Sequence, residues 1–432
     1  MGSDDRRTPE LGAISLLALG VNGMVGVGIF FAPSEIAGQV PGAAGAWVYP
    51  LTALLVAPVG ACYAVLGARF SRDGGPLVWA EAAFGKLIGF TVGWITYVSA
   101  LLSTAAVLSG LGEYLALYLG FAASSAGHVA AACVLVLSAI AAVGLRFSAW
   151  VWNGLTIAKL VPLVALLGVG LATAWHFTSR APLVSEADVM GSATASSWFR
   201  AVLIAVFALQ GFEVLPLVSS SVRNRARSMP FAIGLSLAVV ALLYLALHYS
   251  AVMAVPQLAS AKAPLSAAAT ALGGPTLHQV VSLGTQISAI GISFGMIATT
   301  PRYLAALGGD DSFGTWLGRR SPRNVPLAAL GICTVLTLAL VLVGELGSLF
   351  VLAAMAVLAQ FAVSVFALAA LAWREEHGLT RRHLGLAVLA LVTLVLVGLG
   401  SEAKELITLA GCIALGFALR WLHRLLARRA PS

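Results

Sequence analysis

The chain has 432 residues, of which 60% are hydrophobic and only 10% are charged, and its formal net charge is +8. With a mean hydropathy of +0.96, it cannot be an ordinary soluble domain; the balance is typical of a protein that crosses a membrane many times. In a soluble protein the positive charge would suggest a nucleic-acid partner. Here membrane topology explains it, so we expect no nucleic-acid binding.

Apolar runs of about 20 residues, the length that crosses a bilayer, follow one another along the sequence. They predict an all-α polytopic membrane protein with twelve transmembrane helices, forming one membrane domain over residues 1–432. The first run is too long for a signal-peptide core and lacks a cleavage site, so we expect it to be retained. The predicted spans are 11–38, 43–69, 86–119, 127–145, 150–174, 198–221, 229–253, 276–303, 325–343, 346–373, 384–400 and 404–426.

Basic residues fall on one side of this predicted topology. With the N-terminus inside, twenty Lys and Arg residues lie on the internal side and only four on the external side. This positive-inside bias predicts a multi-pass protein of the cell (plasma) membrane, which is the inner membrane of a bacterium, with both termini cytoplasmic. The acidic residues of the external connections, including Glu402 and Glu405, are interpreted as solvated charges.

Three glycines interrupt the first span at Gly23, Gly26 and Gly28. Each costs a helix about 1 kcal/mol relative to alanine. In a bilayer, broken helix is tolerated only where it lines a cavity or packs against protein, so the stretch is a candidate binding site. Close packing of helices through small residues is the alternative interpretation.

A second glycine break lies in the sixth span, at Gly211, where Gln210 and Glu213 interrupt an apolar run. Breaks five helices apart are expected if helices 1–5 and 6–10 are repeats of opposite orientation, with a substrate site between them at the membrane midplane. We therefore predict a first repeat over about 11–174, a second over about 198–373, and peripheral helices 11 and 12 over about 384–426.

Four motifs occur in an order and spacing that carry a family resemblance. They are Gly-Val-Gly-Ile-Phe at 26–30, Gly-Gly-Pro with Ala-Phe-Gly at 74–85, Phe-Ala…Gly-Phe-Glu at 207–213, and the segment 302–326. Together they resemble the amino acid–polyamine–organocation transporter superfamily, of the proton-coupled amino acid permease type. The resemblance implies a five-plus-five inverted-repeat fold, shared with sodium-coupled leucine transporters, in which helices 1 and 6 are unwound.

Three positions depart from the pattern of that superfamily. Val27 replaces a serine or alanine and should narrow the pocket near the substrate carboxylate. Ser221 stands where glutamate is usual, and Arg225 stands where proline is usual. These departures concern the pocket and the inner gate, and they leave the predicted fold unchanged.

The resemblance implies a site built from backbone groups. The substrate carboxylate would accept hydrogen bonds from N–H groups around Val27 to Ile29, and carbonyls around Phe207 to Gln210 would bind the ammonium group. Phe207 would close over the substrate, or it is a core residue. Gln210 would contact a substrate side chain or satisfy backbone groups. The predicted substrate-binding residues are Met24, Val25, Gly26, Val27, Gly28, Ile29, Phe207, Ala208, Gln210 and Gly211.

Lys159 and Glu213 are the candidates for proton coupling. Lys159 lies deep in the fifth span, where burial disfavours the charged amine. In proton-coupled relatives, a lysine at this position occupies the place of a sodium ion. The resemblance implies that its amine reaches the backbone around Asn22 and Val25, with Ser288 or Ser293 opposite; the alternative is an amine that extends to the membrane surface. Glu213 either handles protons or tethers the broken helix.

These observations predict a secondary transporter that moves small or medium neutral amino acids together with a proton. An exchanger or exporter, or a carrier of cationic amino acids or polyamines, is the alternative within the same fold; a transport-silent membrane sensor is the alternative from another class. The chain has no nucleophile–base motif, and its seven histidines and four cysteines lack metal-ligand spacing. We therefore expect no enzyme activity, metal or cofactor. The oligomeric state is left open.

Overall fold

The computed structural model describes residues 11–26, 28–70, 74–144, 149–177, 193–308 and 313–429. Within these ranges the chain is helical, and its extended pairing is one isolated parallel bridge between Leu11 and Val222. The prediction of an all-α polytopic membrane protein is confirmed. Val27 lies outside the described residues.

The helices follow the predicted apolar runs closely. In chain order they are α1 (Ala13–Met24), α2 (Gly28–Gln39), α3 (Val48–Arg69), α4 (Pro76–Phe84), α5 (Lys86–Tyr118), α6 (Ala126–Ala142), α7 (Ala149–Phe177), α8 (Ala195–Leu209), α9 (Arg225–Ala254), α10 (Pro264–Leu307), α11 (Thr315–Gly318), α12 (Leu327–Val343), α13 (Leu346–Trp373), α14 (His383–Gly398) and α15 (Ala403–Arg429). Two of the 3₁₀ segments adjoin these helices: Gly42–Trp47 precedes α3, and Phe212–Ser221 follows α8.

Among the described residues, eight helices are long and apolar enough to cross a membrane, and the bent pair α1 and α2 would make a ninth. Three further apolar helices are shorter: Lys159–Thr173 within α7, α12 and α14. They lie where the fifth, ninth and eleventh spans are predicted. The count of twelve spans and the inverted repeat remain predictions.

The broken helices lie inside the bundle. The half-helix α1 packs along α9, and α2 packs along α8. Around them, α3 packs against α9, while α5 packs against α10 and α13. Both breaks are therefore enclosed by protein, as the bilayer requires of non-helical backbone.

Two connections contain helix. The segment after Arg69 contains α4, which begins with Pro76 at a position where the missing N–H costs nothing. The connection before the eighth span is helical from Pro264 and continues into that span as α10, which turns at Gly274 with φ +65° and ψ −160°. Only glycine adopts this pair of angles without strain.

The interpretation of Glu405 as a solvated charge is wrong. Its carboxylate lies 2.7 Å from the Arg200 guanidinium, and only 5% of its side chain is exposed. The start of α15 rests against the start of α8, where the carbonyl of Gly400 also accepts a hydrogen bond from Arg200. The expectation for Glu402 holds, since half of its side chain is exposed.

Candidate functional site

The first break separates α1 from α2, which are inclined by 52° to each other. The N–H of Gly26 donates a 2.7 Å hydrogen bond to the carbonyl of Met24, only two residues earlier, so this bond does not belong to an α-helix. As the first residues of α2, Gly28 and Ile29 have N–H groups without an intrahelical acceptor. This helix end also carries the positive pole of the helix dipole, so it favours a carboxylate.

The second break lies between α8 and the 3₁₀ segment Phe212–Ser221. Gly211 has φ +132°, a conformation that residues with a Cβ rarely adopt. Its N–H donates a 2.7 Å hydrogen bond to the Glu213 carboxylate. The last carbonyls of α8 have no intrahelical donor, so they present negative charge to the break. Glu213 therefore caps the break, as the tethering interpretation requires.

The two breaks touch each other through glycines. A Cβ placed on Gly28 would lie 2.8 Å from Ala208 Cα, and one placed on Gly211 would lie 2.5 Å from the carbonyl carbon of Gly23. Both distances are shorter than any normal carbon–carbon contact. The glycines therefore fit both interpretations. They break the helices, and they let the two backbones pack closely at the point where the helices are unwound.

A cavity of about 620 Å³ runs from the second break to the end of the bundle where α5 begins. It follows α5 from Lys86 to Ser103, a rise of about 25 Å along a helix. Its mouth, near Lys86, lies on the predicted cytoplasmic side. The polar and charged side chains that line it are Glu81, Lys86, Thr96, Ser99, Ser103, Gln210, Glu213, Tyr303, Gln360, Arg420 and Arg424.

Of the predicted site residues that the structure describes, Gln210 and Glu213 line this cavity. Gln210 donates a 3.3 Å hydrogen bond to the Ser103 hydroxyl, so it bridges α5 and the second break. The other described residues predicted to bind substrate lie beside the two breaks. Met24, Val25, Gly28, Ile29, Phe207 and Ala208 are buried, Gly26 is half-buried, and Gly211 is buried at the crossing.

Phe207 packs its ring against the ring of Phe350 on α13, with centroids 4.5 Å apart. Both rings are buried. Neither ring lines the cavity, and the pair lies toward the predicted outer side of the break. The arrangement fits either a gate residue or a core residue, so the gating role of Phe207 stays a prediction.

Lys159 lies in the interior, 5% exposed, and its amine donates a 2.6 Å hydrogen bond to the Asn22 carbonyl. The amine therefore does not extend to the membrane surface here. The hydroxyls of Ser288 and Ser293 on α10 are buried and have no hydrogen-bond partner among the described residues. The structure has no hydrogen bond between either serine and Lys159, and that part of the expectation remains a prediction.

Sequence reasoning missed Tyr244 and Gln360. The Tyr244 hydroxyl, from α9, donates a 2.8 Å hydrogen bond to the Met24 carbonyl, and Gln360 of α13 lines the cavity while accepting a hydrogen bond from Thr96. Each is a single polar side chain in an apolar run, which is the signal that would have found it. Thr104, next to the cavity residue Ser103, shares a hydrogen bond with Thr300 of α10.

The fold is that of a helical membrane protein. The sequence profile described as "Amino acid permease" matches residues 11–417, and the chain belongs to this family. The suspected superfamily membership is thereby confirmed.

Curated relatives agree with this assignment. An uncharacterised transporter of Mycobacterium tuberculosis is 28% identical over 99% of this chain and 94% of its own length. A second uncharacterised transporter of that species is 29% identical over 87% of this chain and 83% of its own length. Human cationic amino acid transporter 4 is 26% identical over 78% of this chain and 56% of its own length.

Proposed function

We propose that this transporter couples inward movement of a small or medium neutral amino acid to a proton, by alternating access around the two breaks. The observation that carries the proposal is the 2.6 Å hydrogen bond from the Lys159 amine to the Asn22 carbonyl. It attaches the single deeply buried lysine to the backbone that would also hold the substrate.

The substrate's two charged groups fit the two breaks. The start of α2 offers N–H donors to a carboxylate, and the end of α8 offers carbonyls to an ammonium group. These ends touch at Gly28 and Ala208. An α-amino acid carries both groups on one carbon, so one small molecule satisfies both helix ends.

The cavity wall near the second break favours a substrate with a neutral side chain. Ser99, Ser103 and Gln210 offer uncharged hydrogen-bonding groups there. One oxygen of Glu213 already accepts the Gly211 N–H. The second candidate, a carrier of cationic amino acids or polyamines, is favoured by the exposure of Glu213 to the cavity and by the name of the human relative.

Coupling follows from the chemistry of the amine. A protonated Lys159 holds the Asn22 carbonyl as a cation, and the neutral amine holds it more weakly. Release of the proton to the inner side would loosen the contact between α7 and the broken helix, and reprotonation from the outer side would restore it. Import, export and exchange share this scheme because the gradients set the direction. The membrane we propose is the plasma membrane, with both termini cytoplasmic.

A thermal-shift screen of the purified protein against amino acids and polyamines, at two pH values, tests the substrate class. Bound ligand raises the melting temperature by mass action. We expect shifts with neutral amino acids; shifts confined to cationic ligands would favour the second candidate. A flat response to every amine would contradict the proposal. Binding without uptake into proteoliposomes would identify a sensor.

A further inference from the structure

Three polar atoms are buried together on the side of the bundle away from the cavity. His248 of α9 and Tyr49 of α3 are each 0% exposed. Both ring nitrogens of His248 and the hydroxyl of Tyr49 lack a hydrogen-bond partner among the described residues. An unsatisfied buried polar group costs about 1–3 kcal/mol. Each such group calls for an explanation, which is a bound water, an ion or a functional role.

This pair is connected to the first break. The Tyr49 ring packs edge-on against His248 on one side and against Tyr244 on the other, with centroid distances of 5.7 and 5.5 Å. Tyr244 donates its hydroxyl hydrogen to the Met24 carbonyl over 2.8 Å. Met24 is two residues from Asn22, whose carbonyl binds Lys159. Direct contacts therefore connect His248 to the unwound segment.

His248 also lies directly beneath the connection between α2 and α3, on the predicted outer side. A Cβ on Gly45 of this connection would lie 2.8 Å from His248 Nε2 and 2.6 Å from the Val40 carbonyl. The neighbouring Trp47 is 64% exposed. The imidazole thus lies against the backbone of this connection, whose outward movement would open a path to it.

No counter-ion for a histidinium is found among the described residues. From α3 the group that faces the ring is Tyr49; the neighbouring titratable side chains of α9 itself are Tyr244 and Tyr249, the latter 44% exposed. The helix α1 offers the Met24 carbonyl, already bonded to Tyr244, and the Lys159 amine of α7 is bonded to Asn22. Among the described residues, no charged side chain forms an ion pair with His248. Burying an unpaired cation is very costly, so the ring must be neutral when the outer side is closed.

We infer that His248 is a second protonatable residue of the transport cycle, which takes up a proton while the outer side is open and must lose it before the outer side closes. The inference rests on the proposed transport function. It makes His248 a positioning residue, because it acts on the site through Tyr49 and Tyr244 and does not touch the substrate. In water an imidazole titrates near ~6.5, within the range that the outside of a cell experiences.

Substrate exchange in proteoliposomes, with the internal pH held at neutrality and the external pH varied, tests the inference without requiring net proton movement. We expect the exchange rate of the native protein to fall several-fold below about pH 6, as histidinium holds the outer side open. His248→Phe should abolish this fall. His278→Gln is the matched control, since His278 is bonded to Thr270 outside the cluster, and it should keep the fall.

A native protein without the fall, or a folded His248→Phe variant that keeps it, would overturn the inference. A substrate-induced thermal shift establishes that each variant is folded and binds. His248→Gln is measured as well, so that an unstable phenylalanine variant leaves the test intact; it too should lose the fall. Failure of the proposed coupling would give a different result. The native protein would then show no proton-driven accumulation, while substrate exchange and its fall at acidic external pH would persist.

Discussion

The amine of Lys159 and the carbonyl of Asn22 are 2.6 Å apart and share a hydrogen bond. This bond joins α7 to the last turn of α1, directly before the helix unwinds. Because the lysine is buried, the bond lies in a medium where a charge-assisted contact is stronger than at a surface. The protonation state of the Lys159 amine therefore affects how strongly the half-helix α1 is held in its position.

The approach of α2 to α8 predicts that Gly28 tolerates no side chain. In Gly28→Val the added carbons would overlap Ala208, at a cost of about 1–3 kcal/mol, and would separate the two breaks. We expect a lower melting temperature and loss of the substrate-induced thermal shift. Gly38→Val, in the same helix with open space around its Cβ, is the control for altered helix propensity. Unchanged binding in Gly28→Val would show that the breaks need not touch.

Gly211 carries two separate constraints, an unusual φ and a close contact, and a pair of variants separates them. Gly211→Ala should lose about 1–3 kcal/mol from backbone strain, and more from the approach of its Cβ to Gly23. Gly120→Ala also has a positive φ, +73°, but meets open space. Thermal unfolding should therefore rank Gly211→Ala as clearly the less stable of the two. Equal melting temperatures of the two variants would mean that Gly211 and Gly23 pack less closely than the structure shows.

Glu213 offers a choice between tethering and proton handling. Glu213→Gln keeps an oxygen that can accept the Gly211 N–H, whereas Glu213→Ala leaves that donor without its partner, at a cost of about 1–3 kcal/mol. If Glu213 is a tether, the glutamine variant should retain stability and proton-driven uptake, and the alanine variant should lose stability. Loss of coupling in a stable glutamine variant would assign proton handling to Glu213 instead.

The ion pair between Arg200 and Glu405 should fasten α15 to α8. Arg200→Ala would leave a nearly buried carboxylate without its cation, which we expect to lower the free energy of unfolding by about 2–3 kcal/mol, since Arg200 is itself partly exposed. Adding Glu405→Gln should recover much of the loss. Lys404→Ala, at a mostly exposed side chain, is the control and should change the melting temperature little. If the two substitutions instead lowered the free energy of unfolding independently and additively, the result would argue against the ion pair.

Local signals in the sequence were enough to locate both breaks. Gly23, Gly26 and Gly28 stand out in an apolar run because helix propensity penalises each of them, and Gly211 stands out beside Gln210 in the same way. Lys159 could be singled out because a charge is costly at its depth, and the resemblance supplied its partner, Asn22.

Other features depended on contacts between distant segments. The burial of Glu405 follows from its contact with Arg200 of α8, 205 positions earlier, which no periodicity in either segment reveals. The cavity is lined jointly by α5, α13 and the second break, so the position of Gln360 in its wall follows from three-dimensional packing and not from the sequence. The links from Tyr49 to Tyr244 and onward to Met24 join residues up to 220 positions apart.

Proton-driven accumulation by Lys159→Ala, in proteoliposomes with an imposed pH gradient, is the most direct test of the central claim. The account predicts that this variant loses gradient-driven accumulation while it keeps a substrate-induced thermal shift and measurable exchange. Lys262→Ala, which removes a lysine from the predicted outer connection, should accumulate substrate like the native protein. Full accumulation by Lys159→Ala would contradict the claim that its amine couples the proton to transport.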